Sequence, residues 1–426
     1  MIVLVIFLAL LFMIFINVPI AVALAISGVI GIVAAEGTGA LVTVALDMYN
    51  GATKFSLIAI PMFVLAGAIM NASGITQRLI DFVSALIGFV RGGLAMVNVG
   101  VSLFFAEISG SAVADVAALG SVMIPQMKKR GYKAPFAAAL TSSSASLAII
   151  IPPSIPMILY AVSAQTSIEQ LFVAGIVPGI IGGAGLMLLC WYFARRYNLP
   201  VEAAFDTKRL RDTFIAALPT FSLPVIILGG IFGGFVTATE AGGLAVLAAI
   251  IIGFWYRETN FKQLRLAMLD GAMQTAVVMV LVAASVLMGG FLTRAQIPQD
   301  LAAALLEFTD NKWAILAILN VFFLVIGFFL HSAAAIILVV PIVVPLITQV
   351  GIDPVHFGLV VTLNLAIGQQ TPPVASVLIT ACSIARANVW DVSKINIYFV
   401  GVLLLVLLLC TYVPVVPLFL VELLYR

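Results

Sequence analysis

Long apolar runs constrain this chain more than anything else in it. Residues 2–16, 225–231 with 244–255, 277–288 and 400–409 form apolar runs or parts of them. Several approach the ~20 residues that an α-helix needs to cross the hydrocarbon of a bilayer. Hydrophobic residues make up 63% of the sequence and charged residues 9%, against about half and about a quarter in soluble domains. The expected fold class is therefore an all-α polytopic membrane protein whose solvent is the lipid bilayer. A formal charge of +2 is too small to imply a nucleic-acid partner. Cys190, Cys382 and Cys410 are scattered through apolar runs without metal-ligand spacing, as packing cysteines are. No basic segment precedes the first run, and "NVPIAVALAISGVIGIVAA" follows it. A first span is expected there rather than a signal peptide.

Basic residues orient the spans. Of the 20 Lys and Arg residues, 16 fall into clusters: Arg78 and Arg91; Lys128, Lys129, Arg130 and Lys133; Arg195, Arg196, Lys208, Arg209 and Arg211; Arg257, Lys262 and Arg265; Arg386 and Lys394. Only Lys54, Arg294, Lys312 and Arg426 lie elsewhere. If every cluster is cytoplasmic, residues 135–162 and 168–193 cross out and back, as do 213–232 and 239–255. Residues 267–292 then exit, and both termini end outside.

Two stretches align without a gap 220 positions apart, "IPQMKKRGYKAPFAAALTSSSASLAIIIPPS" from Ile124 and "VPLITQVGIDPVHFGLVVTLNLAIGQQTPPV" from Val344. Pro125 matches Pro345, Gly131 matches Gly351, and Pro152–Pro153 matches Pro372–Pro373. Residues 126–133 carry four basic side chains, whereas residues 346–353 carry none. Equivalent loops of opposite charge face opposite sides of the membrane, the inverted repeat of secondary transporters.

The inversion constrains "EISGSAVADVAALGSVMIPQMKKRGYKAP", which places Glu107, Ser109, Ser111 and Asp115 where lipid would otherwise be. Residues 92–125 begin and end on the same side, and a turn at Ser109–Ser111 leaves about 16 residues per arm, short of a full crossing at ~1.5 Å each. A re-entrant hairpin follows, with its counterpart in residues 314–345 and a tip near His331 and Ser332. Each hairpin precedes a helix that a Pro-Pro pair breaks. Non-helical backbone survives in a membrane only where protein or a cavity satisfies it. Two tips and two breaks are thus expected to converge on one mid-membrane site.

Ser109, Ser111, Ser142, Ser143, Ser144, Thr362, Asn364, Gln369, Gln370 and Thr371 offer mainly neutral oxygens there. Such a set suits a hard alkali cation, and half-helix N-termini suit an anionic group, so Na⁺ and a carboxylate substrate are expected. Taken singly, a serine in a membrane helix more often bonds a carbonyl one turn back. Asp115 serves equally as a capping acid for the return helix or as an ion ligand. Glu107 is expected to stabilise the tip, His331 to be a hydrogen-bonded structural histidine rather than a proton relay, Glu240 to be helix-terminal with a functional role as the alternative, and Arg294 to be a surface arginine with an acidic substrate or partner as the alternative. Residues 75–89 and 296–309 alternate charged and apolar positions at helical spacing, as interfacial helices do. No glycine loop with Gly-Lys-Ser/Thr is present for ATP.

The stretches "AEISGSAVADVAALGSVMIPQMKKRGY", "SASLAIIIPPSIPMILYA", "GGIFGGFVTATEAGGLAVLAA" and "QQTPPVA" resemble the large membrane subunit of tripartite ATP-independent periplasmic (TRAP) transporters, over essentially the whole chain. That resemblance implies an inverted-repeat elevator of the ion-transporter superfamily in the bacterial inner membrane. It implies scaffold helices in 1–74 and 213–295, amphipathic arms in 75–91 and 296–311, a cytoplasmic linker in 195–212, and a transport domain in 92–194 and 312–426. It further implies Na⁺-coupled import of a carboxylate delivered by a soluble periplasmic binding protein, with a separate small membrane subunit as partner. By similarity, Ser109, Gly110, Ser111, Asp115, Ser142, Ser144, Pro152 and Pro153 form one Na⁺ site. His331, Ser332, Asn364, Gly368, Gln369, Gln370, Thr371, Pro372 and Pro373 form the other. Ser109, Ser111, Ser143, Ser332, Gln370 and Thr371 face the substrate. The residues look most like the sialic-acid members, with C4-dicarboxylates or another organic acid as the alternative. An ion channel is the rival class. A membrane enzyme is disfavoured, since two histidines and no Ser-His-Asp arrangement leave little for catalysis.

Overall fold

The computed structural model describes residues 2–16, 18–201 and 204–425. The side chains of Glu107, Ile108 and Ser109 lie outside the described set, as does Arg426. Among the described residues the chain is helical, with one isolated bridge between Arg91 and Val201 and no strand. Seven described helices are long and apolar enough to cross a membrane, and the bent pair Thr38–Ala52 and Phe55–Asn71 adds an eighth span if counted as one.

Polar caps mark where many of these helices begin. Asn260 and Gln263 form a reciprocal capping box before Phe261–Arg294, and Thr237 and Glu240 do the same before Ala238–Trp255. Glu240 is thus helix-terminal, as its sequence context suggests. Ser167 accepts from Gln170 N, and Asn388 from Trp390 N, at the starts of Ile168–Arg196 and Val389–Tyr412.

The repeat survives in the helix boundaries. The first hairpin comprises Gly93–Ser109 and Ala112–Lys129, the second Lys312–Phe329 and Ser332–Gln349. Both return helices have 18 residues and start 220 positions apart. The broken helices follow as Ala134–Ala145 with Ile155–Ala164, and Pro354–Gly368 with Ser376–Ala385. Pro152–Pro153 and Pro372–Pro373 are both cis. The arms are the helices Ile75–Ile87 and Ile297–Phe308.

The hairpins enter from opposite ends of the molecule. Lys128 Nζ, at the base of the first, donates to Ala385 O at 2.9 Å, just before Val389–Tyr412 begins. Trp313, at the base of the second, packs on Tyr412 at the far end of that helix, with ring centroids 6.0 Å apart. By length and composition alone, each arm of the second hairpin is long enough to span. Its tip nevertheless lines the same cleft as the tip of the first.

The remaining helices interlock across the repeat. Ile20–Glu36 packs on Phe261–Arg294, and Ala238–Trp255 on Ala59–Asn71. Small residues permit this closeness: a Cβ on Gly28 would stand 2.9 Å from Leu287 Cβ, and one on Gly242 2.8 Å from Met62 Cβ. Charges tie the two ends. Arg78 pairs with Glu258 at 2.8 Å and lies over Tyr256. Arg294 pairs with Glu36 at 2.9 Å and Asp47 at 3.2 Å. Arg294, expected as a surface arginine, is exposed and also joins three helices, because the fold returns two distant acids to it.

Candidate ion and substrate site

The tips and breaks do converge. A cleft is lined by Gly110 and Ser111 from the first tip, His331 and Ser332 from the second, Ile149 and Ile155 from the first break, and Gln369 from the second. Its other wall is Val64, Gly67, Ala68 and Asn71 of Ala59–Asn71, with Gln274 and Val278 of Phe261–Arg294. Asn71 ends a helix whose next turn leads to the Arg78–Glu258 pair, so the lining extends toward the basic end. On that side Ala112–Lys129 has no packing on Ala59–Asn71 comparable to that of Ser332–Gln349 along Phe261–Arg294.

The first tip turns on Gly110, which is left-handed at φ 59° and accepts no ordinary side chain there without strain. A Cβ on it would lie 2.8 Å from Pro153 O and 3.2 Å from Ile155 N. The tip thus presses on the first break. Ser111 then opens the return helix without a side-chain cap, and Asp115 sits fully buried in the first turn. His331 opens the other return helix, also without a side-chain cap. The N-termini of both return helices therefore line the cleft, and a helix N-terminus favours an anion; in the first of them the Asp115 carboxylate already stands in that turn. Ser154 differs, since its Oγ meets Met157 N at 3.4 Å and donates to Ile149 O at 2.6 Å.

The serines of "TSSSAS" divide by role. Ser144 Oγ joins Asn98 Nδ2 at 3.1 Å and Ser102 Oγ at 2.9 Å, tying the first broken helix to the hairpin arm. Ser143 Oγ lies 2.7 Å from Gln370 Oε1 and 2.8 Å from Asn396 Oδ1, with Asn396 Nδ2 donating to Gln370 O. One hydroxyl proton cannot serve both oxygens, so one amide is flipped; a turned Gln370 amide would donate to Ser143. Ser142 Oγ is buried with no partner among the described residues.

In the second half, Asn364 Nδ2 donates to Asn320 Oδ1 at 2.7 Å and to Val360 O, while Asn364 Oδ1 is buried without a partner among the described residues. Thr362 Oγ1 bonds Gly358 O and Leu359 O, and Thr371 Oγ1 bonds Ile367 O. These two hydroxyls are spent on their own helix, the local competition that sequence alone cannot resolve. Gly368 closes the helix against Gly327. Pro152 and Pro153 are buried, but Pro372 is only partly so and Pro373 is exposed.

Ser111, Ser332 and Gln369 therefore reach the cleft directly, with His331. Ser143, Gln370 and Thr371 do not line it, because their side chains are engaged behind it. The Ser109 side chain lies outside the described residues. Asn98, Ser102, Asn320, Asn396 and Thr411 were missed by sequence reasoning. Asn98, Ser102, Asn320 and Thr411 are isolated polar residues within apolar runs, and "VNV" at 97–99 echoes "LNV" at 319–321.

Comparison with known proteins agrees with this architecture. A solved structure, reported as that of the Alcanivorax borkumensis YdaH transporter with an unusual topology, shares the fold at a TM-score of 0.60, 14% identity and 88% coverage of each chain. An isethionate TRAP transporter permease protein DctMQ of Oleidesulfovibrio alaskensis is 39% identical over 95% of this chain, which spans 64% of that relative's length. A C4-dicarboxylate TRAP transporter large permease protein of Pseudomonas aeruginosa is 36% identical over 88% of both chains. A sialic acid TRAP transporter large permease protein of Vibrio cholerae is 38% identical over 78% of both. Residues 5–416 match the family described as the tripartite ATP-independent periplasmic transporter, DctM component; the chain belongs to that family, as a large permease subunit.

Proposed function

We propose that this permease imports an organic anion by Na⁺ coupling, with Ser111, Ser332 and the tip amides at the cargo site. One observation carries this: a single cleft joins both hairpin tips, both helix breaks and two helix N-termini without side-chain caps. The cargo's acid group would take those amides, since no Lys or Arg is among the described residues that line the cleft. Sodium would sit behind it. Ser142 Oγ and Asn364 Oδ1 are buried neutral oxygens at equivalent breaks, and each has no protein partner among the described residues. A hard alkali cation suits such donors, and an unmet buried acceptor costs stability. Gln369 would add its carbonyl oxygen if its amide is turned.

The cleft's lining toward the basic end fits a cytoplasm-facing state, with the basic end inside and the termini in the periplasm. The hairpins, the broken helices, Ile168–Arg196 and Val389–Tyr412 would move as an elevator against the other spans. The partners would be the small membrane subunit and the soluble periplasmic binding protein. Relatives named for a sulfonate, a dicarboxylate and sialic acid lie at 39%, 36% and 38% identity. Identity does not rank them, so the cargo class is an organic acid, with sialic acid the first to try.

The test is uptake by proteoliposomes that contain this chain and its small subunit, with the binding protein outside and a panel of N-acetylneuraminate, succinate and isethionate. Accumulation of one acid under an inward Na⁺ gradient is expected. Accumulation under a K⁺ gradient alone, or full uptake without the binding protein, sinks the proposal.

A further inference from the structure

Asn396 belongs to neither hairpin and neither break, yet it touches both halves of the repeat. It is buried on Val389–Tyr412. Its Oδ1 lies 2.8 Å from Ser143 Oγ of the first broken helix, and its Nδ2 donates at 2.9 Å to Gln370 O of the second break. The Gln370 side-chain amide closes the ring, 2.7 Å from Ser143 Oγ. Ser143 and Gln370 are fully buried, so each polar atom depends on its neighbours for a partner.

One backbone atom sets the direction of this ring. The Gln370 carbonyl can only accept, so Asn396 must present Nδ2 to it. Asn396 then presents Oδ1 to Ser143, and the single hydroxyl proton goes to that oxygen. With its proton spent, Ser143 Oγ can only accept, so the Gln370 side chain must meet it with Nε2 rather than Oε1. In the opposite orientation Gln370 Nε2 is buried and reaches no acceptor among the described residues. The turn therefore gains a bond for the nitrogen. It also carries Gln370 Oε1 to the far side of the amide, as a buried neutral oxygen. Asn364 Oδ1, on the helix that ends at the same break, is a buried oxygen without a partner among the described residues.

We propose that Asn396 is a positioning residue for the coupling ion: through Ser143 and the Gln370 backbone it holds the Gln370 carbonyl oxygen toward Na⁺. This rests on the Na⁺ coupling proposed above. Gln370 would be the ligand, and Asn396 would act only through it. Carbonyl oxygens at a broken helix suit a hard alkali cation. Loss of the ring would free the Gln370 amide to rotate, and the ion would lose a fixed donor.

Thermal unfolding of the detergent-purified complex of this chain and its small subunit tests the proposal, in NaCl against choline chloride at constant ionic strength. An ion that binds the folded state raises the melting temperature according to its affinity. For Asn396→Leu the half-saturating Na⁺ concentration should rise about tenfold, or ~1.4 kcal/mol. Ser143→Ala deletes only a hydroxyl and should raise it severalfold, which tests the same ring where the leucine variant fails to fold. Gln370→Ala should raise it too, and adding Asn396→Leu to that variant should raise it no further, because the group being positioned is gone. A merely structural Asn396 would lower the melting temperature in choline and leave the Na⁺ midpoint in place. That result, or additive effects of Asn396→Leu and Gln370→Ala on the midpoint, overturns the positioning role alone. A wild type whose melting temperature ignores Na⁺ overturns the Na⁺ coupling and the positioning role together.

Discussion

Gly110 and the carbonyl oxygen of Pro153 stand so close that a methyl group on the glycine would lie 2.8 Å from that oxygen. One is the turn of the first hairpin, the other part of the break in the next helix. Their contact makes the tip and the break a single object, and each constrains the other's amides and carbonyls.

Gly110→Ala should therefore damage binding more than assembly. The left-handed backbone costs an alanine ~1 kcal/mol, and the methyl group must also push Pro153 away. The complex should still be recovered from membranes. Its half-saturating Na⁺ concentration should rise severalfold in uptake assays. An unchanged Na⁺ dependence would separate the tip from the ion.

Much of this was legible beforehand. The Pro-Pro pairs and the loop glycines fixed the offset, and the hairpin tips fall at Gly110 and at His331–Ser332 because short polar groups interrupt apolar helices there. Basic clusters gave the two ends. The roles of individual hydroxyls were not legible. Ser142, Ser143 and Ser144 are consecutive, so they point in three directions about a helix. Only the neighbours brought in by the fold decide their roles: Asn98 and Ser102 for Ser144, Gln370 and Asn396 for Ser143. The Arg294 network was hidden for the same reason, since Glu36 and Asp47 lie far away in sequence.

Asn320 and Asn364 should separate fold from ion binding. Asn320→Leu removes the acceptor of Asn364 Nδ2 and leaves a buried amide short of one bond, a cost of about 1–3 kcal/mol. Its effect should appear mainly in thermal stability. Asn364→Ala removes the free Oδ1 as well, and should raise the half-saturating Na⁺ concentration about tenfold, or ~1.4 kcal/mol. Equal Na⁺ responses of the two variants would count against an ion ligand at Asn364.

Gly327 and Gly368 bring the second hairpin onto the second broken helix. A Cβ on Gly327 would lie 3.0 Å from Gly368 Cα, against backbone that has no flexible end to move. Gly327→Ala should cost about 1–3 kcal/mol by overpacking. The melting temperature of the purified complex should drop by several degrees. No drop would mean that the hairpin is free to shift from this position.

Single cysteines at Lys129 and Gln349, both exposed at the loop ends of the two return helices, report sidedness. The native Cys190, Cys382 and Cys410 are buried, so background labelling should be low. In intact cells a membrane-impermeant maleimide should label the variant at Gln349 and spare the one at Lys129. Labelling of both from outside would remove the inversion, and the reverse pattern would turn the molecule over.

The final prediction concerns motion. Val286 of Phe261–Arg294 and Ile337 of Ser332–Gln349 face a shared crevice away from the cargo cleft, between a helix assigned to the scaffold and one assigned to the moving domain. If cargo crosses by sliding of one against the other, that pairing belongs to a single state. A double variant, Val286→Cys/Ile337→Cys, bridged by a thiol crosslinker containing a disulfide, should stop Na⁺-driven uptake, and a reductant should restore it. Each single variant treated with the same reagent should continue to transport. The bridged protein should still bind Na⁺ if the proposed site is right, because neither residue lines the cleft proposed for the cargo. Undiminished uptake by fully bridged protein would show that the two helices stay together through the cycle, and the moving boundary would have to lie elsewhere.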